Sequence, residues 1–166
     1  RMADLRLATG DAPPRATRDV SLGLNLPGNA SPPTAAPFDA GNPDSYNHTT
    51  SVTVYDSLGA PHSQSMYFVR TANPNEWQVH TRIDGVDVGG PETLQYSSTG
   101  ELLAPANGEI TLPTHTLPGG AAALDLTLSL ERSTQYGDRF GVSALIQDGH
   151  GTGRLSSIEV SAEGVV

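Results

Sequence analysis

Apolar and polar residues alternate in one stretch of this chain after another. Val20, Leu22, Leu24 and Leu26 are separated by Ser21, Gly23 and Asn25. Val52 and Val54 alternate with Ser51, Thr53 and Tyr55, and farther on Met66 and Phe68 share one face while Tyr67 and Val69 share the other. The cleanest case is Trp77, Val79, Thr81 and Ile83 against Gln78, His80, Arg82 and Asp84. Side chains of an extended chain point to opposite faces in turn, so a period of two marks a half-buried strand. Leu124, Leu126, Leu128 and Leu130 follow the same rule against Asp125, Thr127, Ser129 and Glu131. Leucine is not a strong strand former, yet only alternation puts all four on one face. Shorter strands are expected around Leu94 and Tyr96, Leu102-Leu103, Ile110 and Leu112, Phe140 to Leu145, and Ile158 and Val160. The chain carries no sustained heptad pattern, no convincing helix and no repeat of fixed period.

Turn chemistry separates these stretches. Asp56-Ser57-Leu58-Gly59 reads as a type I turn, with Asp bonding back to the backbone at the first position and Gly leaving the turn at positive φ. Asn73-Pro74-Asn75, Asp84-Gly85 and Ser97-Ser98-Thr99-Gly100 are further turns, and Pro27 to Pro33 is a loop or linker by composition. Many short strands at such spacing predict an all-β, antiparallel fold of the barrel or sandwich kind.

Composition narrows this picture. In 166 residues there are 35 Leu, Ile, Val and Phe, with three Phe and one Trp, so a core is possible but thin. Nine basic residues, all Arg, face 18 acidic ones, for a net charge of -9. That balance argues against nucleic acid and anionic membranes as partners, both of which require basic patches. There is no cysteine, which excludes disulfides and thiolate chemistry. No apolar run approaches the ~18 residues of a membrane span. Arg1-Met2-Ala3-Asp4 opens no apolar signal core.

Candidate chemistry adds little. The histidines, His48, His62, His80, His115 and His150, lie more than five residues apart, whereas metal sites draw on close ligand pairs. His80, Arg82 and Asp84 share a face that reads as a solvated strand surface. Asp148-Gly149-His150-Gly151-Thr152-Gly153 has the look of a phosphate or calcium loop. It lacks the Lys and following helix of the first and the alternating acids of the second, and reads as a glycine-rich turn. No Gly-x-Ser-x-Gly elbow exists, and no pair of carboxylates can be assigned to glycoside hydrolysis. Trp77 could stack on a sugar, but its register places it in the core. Catalytic, cofactor and metal sites are therefore all expected to be absent. Asn29-Ala30-Ser31 and Asn47-His48-Thr49 fit the glycosylation sequon, a match common by chance.

The words of the hairpin are more specific than its spacing. Thr53-Val54-Tyr55-Asp56-Ser57, Gly59 and His62, followed by Tyr67-Phe68-Val69, resemble the start of the outer domain of the bacterial flagellar hook protein family. Upstream, Ala16, Thr17, Val20, Ser21, Leu22, Leu24, Asn25 and Leu26 resemble the segment where that family's chain leaves its inner domain. Pro37-Phe38 and Ser45-Tyr46-Asn47 fall between in the family's order. Gln147-Asp148-Gly149, Gly153 and Leu155, with Ile158, resemble the point of return. The resemblance covers roughly 16–166. It implies an outgoing inner-domain segment and linker at 1–34, an outer β-domain at 35–136, and a returning inner-domain segment at 137–166. On this pattern Val20–Leu26 and Ile158–Val160 are the outgoing and returning inner strands.

The function the resemblance implies is structural: a subunit of the hook, the flexible universal joint coupling motor to filament, on the cell exterior and exported without a cleaved signal peptide. Its implied partners are other copies of the same protein, with rod and hook–filament junction proteins at the ends. The family's polymerisation depends on terminal helices that are missing here, so this stretch alone is expected to be monomeric. A β-sandwich adhesin or carbohydrate-binding module is the alternative, favoured if Trp77 were exposed beside Tyr55 or Tyr96. Which residues touch neighbouring subunits is not legible from the sequence.

Overall fold

The computed structural model describes residues 12–152. Strand β1 spans Asp19–Asn25, β2 His48–Tyr55, β3 Pro61–Arg70, β4 Glu76–Ile83 and β5 Val86–Asp87. They are followed by β6 at Glu92–Tyr96, β7 at Leu102–Ala104, β8 at Glu109–Thr111, β9 at Thr127–Ser129 and β10 at Gly141–Gln147. A single 3₁₀ turn at Pro43–Ser45, capped by the Asn42 side chain, is the helical element among the described residues.

The strands form two sheets. One runs β2-β3-β4-β6-β7, with the short β5 paired to β4. The other runs β10-β1-β9-β8. Period-two alternation explains both. In β4 every second residue is buried, Trp77, Val79, Thr81 and Ile83, and in β1 Val20, Leu22 and Leu24 are buried. The inner faces of the two sheets meet in one cluster that contains Val20, Leu22, Leu24, Leu26, Phe68, Trp77, Leu94 and Leu128.

The sheets form a sandwich stitched at one corner. Thr134 bridges to Asn25 at the end of β1 and to Glu101 before β7. Leu26 N donates to Thr134 O at 2.8 Å, and Gln135 N donates to Gly100 O at 2.9 Å.

Turn chemistry fixes the hairpins. Gly59 N donates to Asp56 O at 3.0 Å and Gly59 has φ +88°, the geometry expected of that turn. Asp84 and Gly85 have φ 50° and 81° between paired Ile83 and Val86, the two-residue form whose twist suits a hairpin.

One core takes in Val20 to Leu26, residues of the 35–136 stretch, and the partly buried Phe140 and Leu145. β1 and β10 pair with each other in the sheet that also holds β9 and β8. Ile158–Val160 lies outside the described residues. The β1–β9 pair is parallel, Asp19 to Thr127 through Ser21 to Ser129, an exception to the antiparallel rule. A whole sheet intervenes between these strands, so no hairpin dictates their direction. Leu124, Leu126, Leu128 and Leu130 are all buried as expected, but regular strand is confined to Thr127–Ser129. Toward Leu124 the pairing continues only as single bonds, Leu112 N to Leu126 O at 2.9 Å and a bridge between His115 and Leu124.

The face of His80 is covered rather than solvated. The segment that carries the 3₁₀ turn folds across it and stacks Phe38 on His80, ring centres 4.0 Å apart. Tyr46 and Tyr67 complete the aromatic group. Burial pushes the His80 pKa down, against a weaker upward pull from Asp87.

Candidate functional site

Three stretches singled out in the sequence meet in space: the outgoing segment Ala16–Asp19, the hairpin motif of Val54, Tyr55, Asp56 and Gly59, and the return motif of Gln147, Asp148 and Gly149. Gly153 and Leu155 of the return motif lie outside the described residues.

Thr17 is at the centre, 1% exposed. Its N–H donates to Tyr55 O at 2.9 Å, and Tyr55 N–H donates to Thr17 Oγ1 at 2.9 Å. The Thr17 hydroxyl donates to Gln147 Oε1 at 2.5 Å. Gln147 then folds back on its own strand end: Oε1 accepts from Gly149 N at 2.8 Å and Nε2 donates to Gly149 O at 3.0 Å. One buried hydroxyl thus ties the ends of β2 and β10 to the chain that enters β1. Val54 is fully buried in the core below.

Asp148 closes the other side. Its Oδ1 accepts from Arg18 N at 2.8 Å and Asp19 N at 3.0 Å, and Arg15 lies 3.6 Å from Oδ2. Burial alone would raise the Asp148 pKa, but these donors and the Arg15 charge outweigh it and hold the carboxyl below its ordinary value. The side chain that suggested a ligand loop is therefore occupied by backbone. Arg15 and His150 exchange two backbone hydrogen bonds, at 3.0 and 2.9 Å, so the chain enters and leaves as a pair. Glycine is required where the strands approach. A Cβ on Gly149 would lie 2.6 Å from Thr17 N and 2.8 Å from Arg15 O. At Gly59 it would lie 2.9 Å from Pro14 Cβ and 3.2 Å from Thr152 N, on top of the positive φ.

Sequence reasoning missed a second group beside this junction. His62 Nε2 lies 2.8 Å from Asp56 Oδ2, and Nδ1 lies 2.6 Å from Asp84 Oδ2. Asp56 and Asp84 were legible as turn residues, and His62 as a polar strand position. Nothing in the spacing joins two turns 28 residues apart. Arg82, expected beside Asp84, pairs instead with Asp87 at 3.1 Å. Among the described residues no three His, Cys, Asp or Glu side chains are arranged to hold a metal ion, and no helix is long and apolar enough to cross a membrane.

Residues 25–150 match the family profile described as the flagellar basal body protein FlaE D2 domain. The match ends at His150, the last residue of the junction. The flagellar hook protein FlgE of Escherichia coli (strain K12) is 34% identical over 158 residues, which are 92% of this chain and 38% of that protein. The flagellar hook protein FlgE of Salmonella typhimurium is 32% identical over the same shares, and that of Brucella abortus 27% identical over 86% of this chain and 33% of its own. The chain thus spans 38% or less of the length of these curated relatives. A 32 kDa fragment of the flagellar hook protein FlgE from Caulobacter crescentus has the same fold, with a TM-score of 0.51 over 62% of this chain and 46% of that one, at 13% identity.

Proposed function

This chain belongs to the family of the flagellar basal body protein FlaE D2 domain, and from that premise we propose that it is part of a structural subunit of the bacterial flagellar hook, the flexible joint between motor and filament. The observation that carries the reading is the family match over 25–150, which ends at the junction residue His150 and takes in all of the body except the entering segment and most of β1. Because Arg15 and His150 pair side by side, the sandwich hangs from whatever flanks it through a two-stranded neck. That is the mechanical form of a domain inserted into another one. The segments before residue 35 and after residue 136 then have two roles: they complete this core, and they lead through the neck to the rest of the subunit.

The surface suits contacts that slide. A net charge of -9 repels neighbouring copies over a Debye length of ~8–10 Å. Contacts between outer domains are then of the weak class, below ~1,200 Å², and persist because other parts of the polymer hold the subunits at high effective concentration. Partners are other copies along the hook, with rod and hook–filament junction proteins at its ends. The place of work is the cell exterior.

Sedimentation velocity of residues 1–166 at micromolar concentration tests this assembly. A monomer is expected. A stable dimer or larger species would mean that the outer body associates strongly by itself, and the sliding-contact reading would fall.

A further inference from the structure

We propose that His62 is a pH-dependent clamp on the junction: its protonated ring holds the β2–β3 turn to the β4–β5 turn, and loss of that proton as pH rises lets the two turns loosen. The argument starts from valence. An ionised carboxylate only accepts hydrogen bonds, and a neutral imidazole has one donor and one acceptor. Both His62 nitrogens face carboxylate oxygens, at 2.8 Å to Asp56 and 2.6 Å to Asp84. Imidazolium alone satisfies both contacts with both carboxylates ionised. The neutral ring sets a lone pair against one of them.

Neither carboxylate is free to turn away. Asp56 Oδ1 accepts from Leu58 N at 2.9 Å and Ala60 N at 3.0 Å, and Asp84 Oδ1 accepts from Ser63 N at 3.0 Å. The His62 and Asp56 side chains are 13% and 5% exposed and that of Asp84 is 48% exposed, so water can replace the ring at Asp84 but not readily at Asp56. The position gives the clamp its reach. The Asp56 turn ends at Gly59, whose carbonyl faces Gly151 and whose Cα faces Pro14 and Thr152 at the neck.

The charged groups around the ring agree in direction. Burial pulls the His62 pKa down, but the hydrogen bonds and charges of Asp56 and Asp84 outweigh it and hold the value above 6.5. At Asp56 burial pushes upward and is outweighed by His62 and by the Ala60 and Leu58 amides. At Asp84 the His62 bond dominates, joined by Ser63 N–H and by the more distant His115, and lowers the value. A His raised on folding stabilises fully below its unfolded pKa of about 6.5 and loses that contribution as pH rises through the folded value. The lowered carboxylates stabilise above about 3.9 and lose their contribution as pH falls through their folded values. The clamp is therefore closed below about pH 6.5 and opens as pH rises through the folded value.

NMR of the ring nitrogens of His62, followed from about pH 5 to pH 10 across its unperturbed pKa, tests this in the intact 166-residue chain. The expected midpoint lies above the ordinary histidine value, and the Leu58, Ala60 and Thr17 amide signals shift with the same midpoint. Asp84→Asn keeps an acceptor for Ser63 N–H and should move the midpoint down, whereas His62→Gln should remove the shared amide transition. A midpoint at or below about 6.5, or junction amides that ignore the titration of His62, would overturn the proposal. The wild-type titration decides it even if a variant fails to fold.

Discussion

Replacing Trp77 with alanine is expected to cost about 3–5 kcal/mol. Against a total stability of roughly 5–15 kcal/mol, that leaves a domain near the edge of unfolding. Trp77 has no exposed surface and lies in a core that includes Phe68, Leu94 and Tyr96. It is the single tryptophan of the chain, and its removal leaves a cavity whose cost adds to the lost burial.

The loss extends past volume. Trp77 Nε1 donates to Gln135 Oε1 at 2.8 Å, an oxygen that also accepts from Arg70 Nη1 at 2.6 Å. Arg70 stands 5.7 Å above the indole ring, within cation–π range. Gln135 belongs to the segment that stitches the two sheets, so truncation weakens the corner as well as the core. Urea denaturation of the wild type and Trp77→Ala measures the difference. The wild-type fluorescence should peak well to the blue of free tryptophan, and emission near that of the free amino acid would contradict the burial on which the prediction rests.

Gly149→Ala is expected to be as damaging, by about 3 kcal/mol or more, the upper end of what overpacking costs. The added methyl would meet backbone atoms, Thr17 N and Arg15 O, as well as the Thr17 hydroxyl. Backbone cannot rotate aside as a side chain can. Relief requires the strands that enter and leave the body to separate, which breaks the Arg15–His150 pair and the Thr17–Gln147 bond together. Thermal unfolding compared with Gly137→Ala is the measurement, since a Cβ at Gly137 meets nothing within 4 Å. Equal melting temperatures for the two variants would show that the neck is not packed as described.

These two residues mark what was legible in the sequence. Trp77 could be assigned to the core because alternation is a local signal: the residue, its strand and its buried face all fall within Glu76–Ile83. The Asp56–Gly59 and Asp84-Gly85 turns were legible for the same reason. The junction was half legible. Its words stood out, but their meeting depends on hydrogen bonds between residues 38 and 130 positions apart, and spacing carries no information on that scale. The His62 clamp was missed outright, since each member has an adequate local explanation. His80 was misread because its cover, Phe38, lies about forty residues away in a segment without alternation, and strand periodicity carries no information about what packs over a face from that distance. The parallel pairing of β1 with β9 was hidden because direction is a property of the whole chain path and not of either strand.

The central claim, that this chain works as part of a flagellar hook subunit, is tested most directly by immunogold electron microscopy of the bacterium that makes it, with an antibody raised against residues 12–152. The account predicts gold along the short curved segment between cell surface and filament, and none on the filament. Labelling of another surface structure, or hooks left bare by an antibody that binds the protein in the same cells, would contradict it.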